Sequence, residues 1–170
     1  MPVYIVFVPT PETTTNCLQR FIMPYCHCWL VVQPEQGEAH AFMLNHRRND
    51  GRHSKTDIFL RHPHNGINPQ WYLIPHVSAL AVDAYVADKR YIYDVDMQFG
   101  RWRLLVELLW TCELRPRMVE PGDIPSTPSM MIVDILRNAC HMDVEDTVHP
   151  GELENNLIDK GWIVSISCPF

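Results

Sequence analysis

The apolar segments of this chain are of two kinds, and the order in which they occur restricts the fold. Residues 3–8 (VYIVFV) and 26–32 (CHCWLVV) are short runs rich in β-branched and aromatic residues, which is typical of strands. Met131, Ile135 and Ala139 instead lie four positions apart, which is the spacing of one face of a helix. Strands early and helices late predict an α+β fold, with an antiparallel sheet and two or three helices.

Further apolar runs and turn residues complete the predicted order of elements. Residues 118–128 are a proline-rich connector between two of these runs. Leu153 and Leu157 would face inward from the last helix, and Gly161 would end it. Strands are also predicted at residues 39–46, 71–86, 89–97 and 162–167, and helices at residues 128–141 and 150–161. A short helix is predicted within residues 11–24, with Thr15 or Asn16 as its N-cap and Pro24 as its stop. Residues 99–110 suit a helix or a strand, and the spacing of their leucines favours a helix.

The helix at residues 128–141 has the clearest boundaries. Ser126 or Thr127 can cap its N-terminus. Pro128 suits its first turn, where a helix needs no N–H donor. We expect the apolar stripe of this helix to pack in the core.

The predicted organisation is a single domain, residues 1–170, with one excursion. The chain has 170 residues, 46% of them hydrophobic, which suits one globular domain with a substantial core. Residues 45–70 are polar by contrast and contain the turn residues Gly51 and Gly66. We expect this segment to project from the core as an exposed hairpin or loop.

The charge balance argues against a nucleic-acid partner. There are 14 Lys and Arg against 20 Asp and Glu, a net charge of −6, and the one short basic run is Arg47, Arg48 and Arg52. Nucleic-acid-binding proteins usually carry a basic excess or stripe. No membrane association is expected either, because the apolar run at residues 104–110 is interrupted by Glu107 and is far too short to span a bilayer. No targeting segment is evident, so we expect a soluble, intracellular protein.

The six cysteines predict neither a disulfide framework nor a metal centre. The chain has no paired Cys-x-x-Cys spacing, so free and mostly buried thiols are expected. Cys26, His27 and Cys28 are consecutive, and a strand cannot direct all three side chains at one ion. Structural zinc sites use ligand pairs separated by at least two residues, whereas one residue separates Cys26 from Cys28 and one separates His62 from His64. No metal and no other cofactor is predicted.

His27 is the first candidate catalytic residue. In a strand its side chain points away from those of Cys26 and Cys28, so it faces solvent or a cleft if the cysteines face the core. Imidazole titrates near neutral pH and can act as a general base. The alternative is a structural histidine at a strand edge that bonds to a backbone carbonyl. The spacing leaves both interpretations open.

A catalytic His27 would need a nucleophile at a helix start, where unpaired N–H groups and the helix dipole activate it. The helix from residue 128 opens without a cysteine, and Ser129 is the candidate hydroxyl in its first turn. Cys112, at the end of the preceding apolar segment, is the alternative nucleophile. His76 is the candidate for orienting the imidazole of His27.

Five motifs occur in an order that resembles a known family. They are FVPTP, LQRFIMPYCHCWLVV, the strand WYLIPHVSALAV, MIVDILRNAC and HPGELENNL. This order resembles that of small uncharacterised tailed-phage proteins, which look like circularly permuted papain-like thiol hydrolases of the lecithin–retinol acyltransferase type. The matching positions are His27-Cys28-Trp29, Trp71, the helix that ends at Arg137, and Pro150-x-x-Leu153-x-x-x-Leu157, over about two thirds of the chain.

The resemblance implies a permuted papain-like arrangement with His27 as the base on a strand and a nucleophilic cysteine later, at a helix start. That cysteine has no counterpart here, because Met130, Met131 or Ile132 stands at the corresponding point. None of these side chains can attack a carbonyl. Either the scaffold has lost its chemistry, or Ser129 or Cys112 has replaced the missing cysteine, and we favour the first alternative.

Three functions from different classes stay open at this point. The favoured one is a non-catalytic, phage-type protein that acts through protein–protein contact, such as a virion or tail-associated component on a degenerate scaffold. The second is an active Cys–His or Ser–His hydrolase or acyltransferase with His27 as general base. The third is an inhibitor of a host protein. The resemblance implies synthesis in the host cytoplasm, with the virion as a further location, and a protein partner, an oligomer or a larger assembly as the context.

Overall fold

The structure is a computed structural model, and it describes residues 1–9, 25–36, 38–44, 68–94 and 121–170. The helices predicted at residues 11–24 and 99–110 lie outside these ranges. Most of the excursion predicted at residues 45–70 lies outside them as well, and Gln70, at its end, already belongs to a strand.

The described residues form seven strands and three helices, in an order that confirms the predicted α+β class. Most predicted strands and both predicted late helices are found near their expected positions. The elements are β1 (Val3–Pro9), β2 (Tyr25–Val32), β3 (His40–Phe42), β4 (Gln70–Ile74), α1 (Ala79–Val86), β5 (Tyr91–Tyr93), β6 (Ile124–Ser126), α2 (Pro128–Cys140), α3 (Pro150–Asp159) and β7 (Val164–Ile166).

Five of the strands form one antiparallel sheet in the order β3-β2-β1-β4-β7. β1 is central and pairs with β2 on one side and with β4 on the other. This position explains why its run of β-branched and aromatic residues does not alternate with polar ones: a central strand covered on both faces is apolar throughout. β5 and β6 form a separate parallel pair.

The two faces of the sheet carry different apolar clusters. One face, called the helix face, packs against α2 and α3 and forms the larger core cluster. The other face, called the opposite face, has a smaller cluster of its own. Alternation along each strand separates the two sets. On the helix face lie Ile5, Phe7, Cys28, Leu30, Tyr72 and Ile74, and on the opposite face lie Val6, Val8, Trp29, Val31, Ala41 and Trp71.

α2 lies where the sequence predicts it and buries the predicted stripe. Met131 and Ile135 are fully buried in the core cluster, and Ala139 is half-buried against it. Thr127 is the N-cap: its Oγ1 accepts a hydrogen bond from the Met130 N–H at 3.2 Å. The same hydroxyl donates to the carbonyl oxygen of Val148 at 2.9 Å. The start of α2 is thereby fixed to the segment that leads into α3.

α3 also follows the prediction. Leu153 and Leu157 are fully buried in the core cluster. Gly161 follows the helix with φ of +67°, a backbone conformation that glycine adopts at little cost. The chain then enters β7, which pairs with β4.

The strand prediction for residues 71–86 is wrong over its second half. Residues 79–86 are helix α1, not strand. The Ser78 hydroxyl caps it by accepting the N–H of Ala81 at 3.3 Å. Ala79, Ala81 and Ala84 favour a helix, which explains why an apolar run without strand alternation folds this way.

The connector predicted at residues 118–128 contains a strand that the sequence did not reveal. β6 pairs in parallel with β5, and the Ile124 N–H donates to the Arg90 carbonyl at 2.9 Å. The Asp94 N–H donates to the Ser126 carbonyl at the same distance, 2.9 Å. Pro125 lies in this strand but is tolerated because these two bonds use its neighbours and not its own nitrogen.

Candidate functional site

The start of α2 meets the sheet at a thiol–hydroxyl pair. Cys28 is on β2, opposite Phe7 of β1, and Ser129 is in the first turn of α2. The Cys28 Sγ and Ser129 Oγ atoms are 3.7 Å apart, a hydrogen bond in which either atom can donate. Both residues are 0% exposed. The contact joins residues 101 positions apart in the sequence and anchors the helix start on the second strand.

His27 lies on the other side of the sheet from this pair. It pairs with Val8 of β1, whose side chain belongs to the opposite face, and it is half-buried there. Successive side chains of a strand point to opposite faces, so the Cys28 contact with Ser129 directs His27 away from α2. The predicted alternation of His27 and Cys28 is therefore found, but it brings Cys28 to Ser129 and keeps the His27 imidazole apart from that hydroxyl.

The structure does not bring His76 close to His27 either. His76 is exposed in the turn after β4 and has a left-handed backbone with φ of 64°. The end of β4 lies beside Val3 of β1, whereas His27 lies beside Val8. Five strand residues separate these positions, or roughly 16 Å at about 3.3 Å per residue. His76 is thus at the other end of the sheet from the imidazole it was predicted to orient.

Cys112, the alternative nucleophile, lies outside the described residues. Ser129 therefore remains the one predicted nucleophile with a described environment. Activation of a serine hydroxyl requires an adjacent general base such as imidazole. The group in contact with Ser129 is the Cys28 thiol, and complete burial keeps both from direct contact with a substrate. This arrangement suits packing of a helix on a sheet better than nucleophilic attack.

A second histidine approaches the start of α2 and was missed in the sequence. His149 is the N-cap residue of α3 and follows Val148, whose carbonyl accepts the Thr127 hydroxyl. Within the described part of the chain, its Nδ1 atom is buried without a hydrogen-bond partner. In the motif HPGELENNL the proline and the leucines carry the helix signal, and nothing in the pattern marks the histidine before them as a site residue. His149 is the histidine to include when the activity of Ser129 is tested.

A buried carboxylate lies on the helix face of the sheet. Glu154 of α3 is 7% exposed, and its Oε1 accepts a hydrogen bond from the Tyr72 hydroxyl at 2.7 Å. The Tyr72 ring packs edge-on against Phe7, at 5.8 Å between centroids. The sequence contains a signal for this: Glu154 occupies the same helical stripe as Leu153 and Leu157. A buried, hydrogen-bonded carboxylate of this kind fixes α3 on the sheet.

Asp134 of α2 is the centre of a second polar network. Its Oδ2 accepts hydrogen bonds from the hydroxyls of Tyr85 on α1 and Tyr91 on β5, the former at 3.0 Å. Its Oδ1 accepts the Asn138 amide at 2.8 Å. Burial, followed by the hydrogen bond to Asp134, raises the pKa of the Tyr91 hydroxyl, which therefore stays protonated as a donor. The network connects three elements, and Tyr91 is 2% exposed.

Metal and membrane features were also sought. Across residues 1–9, 25–36, 38–44, 68–94 and 121–170, no three His, Cys, Asp or Glu side chains lie close enough together to hold a metal ion. Among the helices within those same ranges, none has the length and apolar character needed to cross a membrane.

Comparisons with models of known protein families, with curated proteins and with solved structures found no match for this chain. The resemblance to phage proteins thus rests on the motifs alone.

Proposed function

We propose that this protein is not an enzyme and acts through protein–protein contact, on a permuted papain-like scaffold from which the reacting groups have been lost. The buried contact between Cys28 and Ser129 carries this proposal. It occupies the place where a helix start meets a strand of the sheet, and it pairs a hydroxyl with a thiol and not with an imidazole.

The order of elements along the chain supports a permuted papain-like scaffold. The resemblance implies a strand that carries the base, followed much later by a helix whose first turn carries the nucleophile. In this chain β2 comes early, α2 comes late, and the first turn of α2 contacts β2. Under the proposal, Cys28 stands at the base position and Ser129 at the nucleophile position. His27 is adjacent to Cys28 in the sequence, but it lies on the opposite face of the sheet and so is not placed to act as a base for Ser129.

The biological setting proposed is that of a tailed-phage protein, made in the host cytoplasm and associated with the virion or tail. The motif order supports this setting. Exposed apolar side chains support the contact function, since Trp162, Val164 and Phe170 lie together in sequence at one edge of the sheet and are 37%, 51% and 47% exposed. Exposed large apolar residues that cluster often mark a binding surface.

A hydrolysis assay tests the proposal. Thioester and amide substrates are incubated with the wild type, Ser129→Ala, His27→Ala and His149→Ala, and we expect no turnover above the uncatalysed rate for any of them. Ser165→Ala, an exposed serine on β7, is the matched control for the serine substitution. Turnover that is lost in Ser129→Ala but retained in Ser165→Ala would establish a serine enzyme. The histidine variant that loses activity with it would then identify the base.

A further inference from the structure

β7 is an edge strand with unusual chemistry. It pairs with β4 on one side and ends the five-stranded sheet on the other, within the described part of the chain. Residues 161–170 (GWIVSISCPF) contain no Asp, Glu, Lys, Arg or His. Edge strands of soluble proteins usually carry charges, a proline or a bulge that prevents pairing with another chain. β7 itself has none of these.

The apolar residues of this edge share one side of the sheet. Val164 pairs with Leu73 and Ile166 pairs with Trp71, so both belong to the opposite face. The Phe170 ring lies on that face too, with its centroid 5.8 Å from that of Trp71 and 6.0 Å from that of Tyr4. The exposed part of Val164 therefore continues an apolar surface that already reaches the sheet margin.

We propose that β7 pairs with β7 of a second copy of this chain, antiparallel and about a two-fold axis at Val164. This inference rests on the contact function proposed above and names the partner. In this register Val164 lies opposite its own copy, and Trp162 lies opposite Ile166. An aromatic residue opposite a β-branched one is a favourable cross-strand pair. Val164 and Ile166 share one face by strand alternation, and Trp162 precedes the strand by two residues.

The lack of charged side chains at residues 161–170 allows a second copy to approach at this edge. The chain has a net charge of −6, so two copies repel each other over most of their surfaces. The ten uncharged residues at 161–170 form a segment where they can approach without an unpaired charge. A charged foreign strand would find no complementary group on β7.

The exposed area sets the strength of the contact. The exposed parts of Trp162, Val164 and Phe170 amount to roughly 250–300 Å² per copy, taking about 150–250 Å² for a large side chain. A standard stable interface buries about 800 Å² per partner. The dimer is consequently weak and depends on protein concentration, as suits a subunit that associates fully only when an assembly concentrates it.

Sedimentation equilibrium of the wild type from about 10 µM to about 1 mM is the first measurement, and we expect the mass to rise from that of a monomer towards that of a dimer. Val164→Lys and Val164→Glu should each remain monomeric, because like charges would then face each other at the two-fold axis. An equimolar mixture of these two variants should associate again, because Lys would face Glu. Leu80→Lys is the matched control, since Leu80 is an apolar residue on α1 that is 67% exposed.

Circular dichroism of each variant establishes that it is folded before its mass is interpreted. A wild type that stays monomeric up to about 1 mM would overturn the proposal. Dimerisation that persists in Val164→Lys, or a mixture that stays monomeric, would overturn the two-fold pairing at Val164. These outcomes are independent of the hydrolysis assay, so the failure of this inference is distinguishable from the failure of the proposed function.

Discussion

The two edges of the five-stranded sheet are built in opposite ways. Among the described strands, β3 lies at one end of the sheet and β7 at the other. The β3 edge is tied to a helix, because His40 Nε2 and Asp83 Oδ1 of α1 are 2.6 Å apart. The His40 ring also packs edge-on against Phe42, at 5.4 Å between centroids. Among the described residues, the three residues of β7 have no side-chain hydrogen bond or ring contact of this kind.

The sequence around each edge repeats this difference. Glu38 lies two residues before β3, whereas the nearest charged residue before β7 is Lys160, four residues away. Charges and prolines are devices by which proteins keep edge strands from pairing with other chains. Within the described part of the chain, β3 is therefore held to α1 by a side-chain contact and β7 is not, so β7 is the edge that we propose for a partner strand.

Ile135→Asp should have the largest effect, because unfolding of the core would abolish both edges of the sheet. Ile135 is 0% exposed on α2 and belongs to the core cluster on the helix face of the sheet. A buried, unpaired carboxylate should lower the free energy of unfolding by at least about 3 kcal/mol. Urea denaturation measures the change. Asn155→Asp, which adds the same charge at an exposed position of α3, should change stability little. Equal stability of the two variants would contradict the placement of α2.

Asp83→Ala should have a moderate effect confined to the β3 edge. The side chains of His40 and Asp83 are 20% and 34% exposed, so their hydrogen bond contributes only about 0.5–1 kcal/mol. Amide hydrogen exchange in Ala41 and Phe42 should become faster, which would make β3 resemble β7. Asp88→Ala, at an exposed position just after α1, is the matched control. Identical exchange in both variants would show that the hydrogen bond between His40 and Asp83 does not stabilise this edge.

The smallest expected effect is a difference in labelling rate between two thiols, one just beyond β7 and one half-buried at the end of α2, with no change in stability. Cys168, just beyond β7, is exposed, whereas burial raises the pKa of the Cys140 thiol to about 11. The thiolate is the reactive form, so a raised pKa lowers the reactive fraction of Cys140 at neutral pH to about 1 in 10⁴. Mass spectrometry after labelling at pH 7 should find Cys168 modified well before Cys140. Labelling of Cys140 should accelerate as the pH rises towards 11. Equal rates at pH 7 would contradict the burial of Cys140.

Local sequence patterns were enough to predict several elements of the fold. β1 and β2 have strand composition, α2 has a capping residue, and both α2 and α3 have apolar stripes, so both kinds of element carry their own signal. The second half of residues 71–86 misled the prediction because an apolar run without alternation suits either structure. β6 is three residues long and contains Pro125, so its strand character depends on pairing with β5.

The candidate site was harder to predict because its geometry is non-local. Alternation in β2 correctly separated His27 from Cys28, but a sequence does not state which face of the strand a distant helix will cover. Which face α2 covers is shown by the contact between Cys28 and Ser129, two residues that are 101 positions apart in the sequence. Likewise, the distance of His76 from His27 follows from the antiparallel register of β1 with β4 and is invisible in either segment alone.

The central position of β1 also has a consequence for the order of folding during synthesis. Ile5 and Phe7 lie on the helix face, and the helices that cover it are α2 and α3, more than 100 residues later in the chain. Translation at about 5–20 residues per second leaves roughly 6–25 s between the two events. During that interval the apolar side chains of β1 have no helix to cover them, and long-range pairing of this kind is slow. The nascent chain should therefore depend on chaperones that bind exposed apolar segments until α2 leaves the ribosome.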